Sequence, residues 1–97
     1  ETLGITARLL NKEDIKSRKL PNQTTGLVIT NIENSSPLKN TTLSIDSIII
    51  EAQKQKLRSV EDLRKIVKDV LNSNQKTILV AIYNNQNQKR YIGINLD

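Results

Sequence analysis

The chain has 97 residues and no His, Cys, Met, Trp or Phe. Those absences exclude a Ser-His-Asp triad, a cysteine nucleophile, a disulfide and a zinc site of the usual nitrogen and sulfur type. Lys and Arg number 15 against 10 Asp and Glu, a formal charge of +5, so a nucleic-acid footprint has to be weighed.

The length suits one domain that buries about 65% of its unfolded surface. With 2% aromatic residues its core must be aliphatic, and Ile and Leu carry it. No apolar run reaches the ~18 residues of a membrane span, so no membrane insertion is expected. There is neither a secretory signal nor an initiator Met, and the chain reads as a domain cut from a longer one.

Residues 2–10 read as a strand, with Leu3, Ile5, Ala7 and Leu9 on one face at period two. Asn11 is a candidate N-cap for a short helix over residues 12–19, with Glu13 and Asp14 in the first turn, where they suit the helix dipole. Leu20-Pro21 closes it. After a polar loop, Gly26 opens a β-rich run from Leu27 to Ile32. Ser35-Ser36-Pro37 is a helix-start signature for a very short helix over residues 37–40. Ser47 to Glu51 contains consecutive Ile residues, as expected of a strand buried on both faces. Lys54 to Arg58 reads as a polar edge strand.

The strongest helix begins after Ser59, which forms a capping-box pattern with Asp62. Val60, Leu63, Ile66, Val67, Val70 and Leu71 make its apolar stripe, and Glu61 is spaced to pair with Lys65. Residues 77–83 and 89–96 then read as a hairpin joined through the polar loop 84–88. Gly93, inside the last strand, is expected to mark a bulge or close packing. The interspersed elements imply an α+β domain: a partly open antiparallel barrel of five to six strands capped by two to three helices.

Several segments stand in a familiar order: Leu3-Gly4-Ile5, then Gly26-Leu27-Val28-Ile29-Thr30, then Ser36-Pro37-Leu38. Leu43-Ser44-Ile45-Asp46-Ser47-Ile48-Ile49 follows, and then Ser59-Val60-Glu61-Asp62-Leu63. This order resembles the PDZ domains that follow the protease domain in bacterial HtrA/Deg serine proteases. The short helix before Leu20-Pro21 is most like that of the second, C-terminal PDZ domain of the family. The resemblance covers residues 1–97 as a single PDZ-like domain, a fragment of a longer protease chain. Two family glycines are replaced, by Thr42 and Asp46. Glycine serves where φ is positive, a region Asp tolerates and β-branched Thr does not.

The resemblance implies a non-catalytic module of a periplasmic serine endoprotease, without a cofactor. It would bind apolar C-termini or extended segments of unfolded proteins by β-augmentation. The implied carboxylate-binding loop is Leu3, Gly4 and Ile5, the peptide-pairing strand Thr6, Ala7, Arg8 and Leu9, and the groove helix residues Leu63, Ile66 and Val67. Without the resemblance, those three helical residues read as core of an amphipathic helix. An alternative is an inter-subunit assembly module with an occluded groove, contacting other subunits or domains of the protease.

The remote alternative, nucleic-acid binding, rests on Lys12, Lys16, Arg18 and Lys19, on Lys54 and Lys56, and on Lys89 and Arg90. Single-strand readers need exposed aromatics, and only Tyr83 and Tyr91 exist. Interspersed acids favour a solvated surface, and no nucleic-acid partner is expected. Glu13-Asp14 and Glu61-Asp62 are explained by capping rather than acid–base chemistry.

Overall fold

The computed structural model of the chain describes residues 4–33 and 44–95. Those residues form six strands and two α-helices in the order β1 (Ile5–Leu9), α1 (Lys12–Ser17), β2 (Leu27–Ile32), β3 (Ile48–Ala52), β4 (Gln55–Lys56), α2 (Val60–Asn72), β5 (Thr77–Tyr83) and β6 (Lys89–Asn95). All pairings are antiparallel. The strands make one sheet in the order β1-β2-β3-β5-β6, with β4 beside β3. Among the described residues the sheet therefore does not close, and β1 and β6 stand at the two ends of that order. The expected helix at 37–40 and Thr42 lie outside the described residues.

The sheet is buried on both faces. One face carries the main core, in which Leu63, Ile66, Val67 and Val70 of α2 pack with Leu27, Ile29, Ile49, Ile78, Val80, Ile82 and Ile94. The other face holds a smaller cluster of Leu10, Leu20, Val28, Ile48, Ile50 and Ala81, covered by Ile15 of α1. Alternation along β3 sends Ile49 to the first cluster and Ile48 and Ile50 to the second, so the Ile run does serve a doubly buried strand.

Asn11 caps α1 as expected: its side chain accepts from the Asp14 N–H at 2.8 Å, and Asp14 accepts from the Asn11 N–H at 3.0 Å. At the start of α2 the Ser59 hydroxyl accepts from the Asp62 N–H. Asp62, however, reaches past the cap to the Arg58 N–H at 2.9 Å, so the expected reciprocal box is shifted by one residue. Asp46 has φ 75°, the left-handed conformation inferred from the missing glycine.

Five expectations are corrected. Leu9, at the end of β1, runs past the core and is 53% exposed, while Leu10 turns inward. Leu71 is likewise exposed rather than part of the buried stripe. Glu61 pairs with Arg64 at 2.6 Å rather than with Lys65. The polar edge strand shrinks to β4, because Gln53 (φ 52°) and Lys54 (φ 65°) turn the chain back directly after β3. Gly93 sits in regular pairing with Leu79, without a bulge. Bulges lie instead in β2, where Thr30 is the extra residue between the partners of Thr6 and Ala7, and in β3, where Ile50 is extra between the partners of Ile82 and Ala81. The hydroxyl of Thr30 donates to the Thr6 carbonyl at 3.0 Å.

Candidate functional site

Gly4 enters β1 with φ 67°, a conformation L side chains rarely adopt. Its carbonyl accepts from the Glu33 N–H at 2.8 Å, which fixes the start of β1 against the end of β2. Leu3 lies outside the described residues. Ile5 is buried in the main core.

The carbonyls of Gly4 and Thr6 and the N–H of Leu10 all point toward β2 and its approach at Gly26. Backbone groups alternate in direction along a strand. The N–H and C=O groups of Ile5, Ala7 and Leu9 therefore point to the outer edge, where no strand pairs among the described residues.

Across that edge lies the N-terminal half of α2. Ser59 starts the helix at Val60, and the spacing of Val60, Leu63 and Arg64 puts all three on one face. With Ile5, Thr6 and Ala7 of β1 and Leu27 behind them, they line a cleft of about 290 Å³. Arg64 stands on the cleft wall, steadied by the exposed Glu61.

Of the anticipated groove residues, Leu63 is on this cleft. Val67 is buried in the core beneath it. Ile66 lines a separate polar groove with Gln55, Lys56, Arg58, Asp62, Lys65 and Asp69. Val60 and Arg64, which were not among the anticipated groove residues, line the cleft beside Leu63. Their signal was available: they sit three residues before and one after Leu63 on the helix face.

Along β1, Thr6 and Ala7 face the cleft, but the Arg8 side chain does not. Its guanidinium grips Asp14 of α1 in a bidentate pair at 2.7 and 2.9 Å. That hydrogen-bonded cation, helped by the Asn11 N–H and the charge of Arg18, holds the Asp14 carboxyl down to about 2, while burial opposes the shift. Arg8 is thus occupied in fixing α1 to β1.

Arg18 is similarly engaged. It donates to Asn87 Oδ1 at 2.7 Å, to the Asp46 carbonyl at 2.7 Å and to the Asn84 carbonyl at 2.8 Å. It clasps the end of α1 to the turn before β3 and to the β5–β6 loop. Two arginines of the basic surface therefore hold the fold. Lys12, Lys16 and Lys19 instead surround a hollow of about 560 Å³ floored by Ile15 and Leu20.

The fold that builds this site recurs in solved structures. The chain superposes on the PDZ domain of HtrA3 bound to a phage-derived ligand, FGRWV, with a TM-score of 0.73. Identity is 15%, and the match covers 96% of this chain and 81% of that one. It also matches the HtrA-type protease AlgW with a decapeptide, with a TM-score of 0.64 and 20% identity, over 96% of this chain and 27% of that one. In sequence it is similar to a probable periplasmic serine endoprotease, DegP-like, of Chlamydia pneumoniae, being 28% identical over 82 residues. The chain has a PDZ fold, and it is similar to HtrA-type proteases.

No protein-family model matches the chain. The chain spans 16% of the length of its curated Chlamydia pneumoniae relative. Its own sequence, without His or Cys, supplies no hydrolytic triad.

Proposed function

We propose that this PDZ domain is the non-catalytic peptide-recognition module of a periplasmic HtrA/Deg-type serine endoprotease. It takes apolar C-termini or extended segments of unfolded proteins as an added strand. The observation that carries the reading is the unpaired outer edge of β1, which faces Val60, Leu63 and Arg64 across the cleft. A peptide strand there exchanges main-chain hydrogen bonds with Ile5, Ala7 and Leu9, which gives affinity without regard to sequence. The terminal side chain enters the aliphatic cleft, and the terminal carboxylate meets the turn of Leu3, Gly4 and Ile5, where backbone N–H groups are the donors. The two structural relatives that carry peptides support this reading, since both share the fold over 96% of this chain.

Titration of the isotope-labelled domain with the pentapeptide FGRWV tests it. Amide shifts should move along residues 4–9 and 60–64, and amidating the peptide C-terminus should weaken binding. Shifts confined to other elements, or none at millimolar peptide, would remove the groove from consideration.

A further inference from the structure

The second free edge, β6, is unexplained by peptide capture. The strand is 7 residues long and, among the described residues, pairs only with β5. The Leu79 carbonyl accepts from the Gln53 N–H, and the Leu79 N–H donates to the Gln53 side chain, so the main-chain groups of Leu79 point away from β6. Its partner Gly93 therefore directs its own groups to the outer edge, and alternation does the same for Lys89, Tyr91 and Asn95. Sheet edges are usually blunted by charge, proline or a bulge. Lys89 and Arg90 at the start of β6 are such charges, but the following Tyr91-Ile92-Gly93-Ile94 has neither charge nor proline, and the β5–β6 pairing has no bulge.

Gly93 is also unexplained by the fold. Its backbone is not in the left-handed region, and an added Cβ would meet only Thr77 Cγ2, at an ordinary 3.6 Å. A glycine within a strand weakens it, and one reason to keep it is the close approach of another chain. Beside the gap it leaves stand Tyr91, 65% exposed, and Leu79, 39% exposed.

We propose that the β6 edge is a homotypic docking site, where a second copy of this chain adds its own β6 antiparallel about a two-fold axis at Ile92. Ile92 is the midpoint of the strand, so this is the register that pairs all of β6. It sets the Tyr91 ring of each copy opposite Gly93 of the other, which fills the glycine gap beside Leu79 with an aromatic face. Lys89 falls opposite Asn95 and Arg90 opposite Ile94, so no like charges meet directly. A single strand pair buries less than the ~800 Å² per partner of a stable complex. The contact is therefore weak, with dissociation constants in the high micromolar to millimolar range, and acts where copies are held close together.

Sedimentation of the domain up to millimolar concentration should show mass rising toward that of a dimer. More salt should favour association, because both copies carry +5. A mixture of labelled and unlabelled copies should give an intermolecular nuclear Overhauser contact between the Tyr91 ring and the Gly93 α-protons. Tyr91→Ser and Gly93→Val should each raise the dissociation constant about fivefold or more, and Gly93→Val retains the fold because the space for its Cβ is open. A monomer at every concentration overturns the proposal. So does association that both variants leave unchanged, or contacts that fall on β1 instead of residues 89–95.

Discussion

Replacing Gly4 by Asn separates its shaping of the turn from the proposed role of leaving room for a peptide carboxylate. The φ of 67° at Gly4 costs an ordinary L residue about 1–2 kcal/mol. Asn tolerates the region better than others, so the loss of stability should stay below about 1 kcal/mol. For a domain of this size that lowers the melting temperature by at most about 4–8 °C.

Binding should suffer more. A hydrogen bond to a charged acceptor contributes about 1.5–3 kcal/mol, so obstructing even one backbone donor at the turn weakens peptide affinity about tenfold or more. The assay is a four-way comparison by calorimetry: wild type and Gly4→Asn, each with a free-acid and an amidated FGRWV peptide. If Gly4 makes room for the carboxylate, amidation costs wild type about tenfold and costs the variant much less. The difference between the two penalties isolates the coupling from any general loosening of the domain. An amidation penalty of the same size in both proteins would refute the assignment of the carboxylate to this turn.

Three further substitutions test the forces that hold the site in place. Asp14→Asn removes the clasp between α1 and β1 and should cost about 1 kcal/mol at neutral pH, discounted for the half-exposed Arg8. Because the folded Asp14 titrates at about 2, below its unfolded value, its stabilisation is full above about pH 4–5. It fades as the pH falls through 2, so urea midpoints of variant and wild type should converge in strong acid. Gly26→Ala would set a Cβ 2.7 Å from the Ile49 carbonyl oxygen and 3.0 Å from Ile48 Cγ2, and should destabilise by about 1–3 kcal/mol in a denaturant titration. Lys54→Gly relieves the φ of 65° in the β3–β4 turn and should raise stability by about 0.5–1 kcal/mol, read as a higher melting temperature.

Residues whose role follows from local periodicity were legible in the sequence. The stripe of α2, the doubly buried Ile run of β3, the Asn11 cap and the β5–β6 hairpin all depend on spacings within a few residues, and the fold class followed from their order. What the sequence hid is long-range. Nothing near Arg18 indicates that its guanidinium bonds Asn84 and Asn87, 66 and 69 residues away. The exposed end of β1 at Leu9 depends on how far α2 extends over the sheet, which a period-two pattern does not encode. The groove helix shows the same limit. A stripe on a helix is wider than a cleft, and only the rotation of α2 against β1 decides that Val60, Leu63 and Arg64 line it while Ile66 turns toward β4.

The two free edges of the sheet differ in a way that bears on their roles. The outer edge of β1 faces a helix, so an incoming strand meets side-chain walls as well as main-chain groups, and those walls discriminate between termini. No described strand flanks the outer side of the β6 edge, and a strand added there would gain main-chain bonds and one aromatic contact. Strand addition alone carries little specificity, because every polypeptide offers the same backbone. On the proposed function, selective capture of a chain end would therefore belong at β1. The β6 edge can be selective only through register, and the register that uses all of it is the one that sets Tyr91 on Gly93. A Gly93 variant that binds peptide as wild type does, yet no longer self-associates, would show that the two edges act independently.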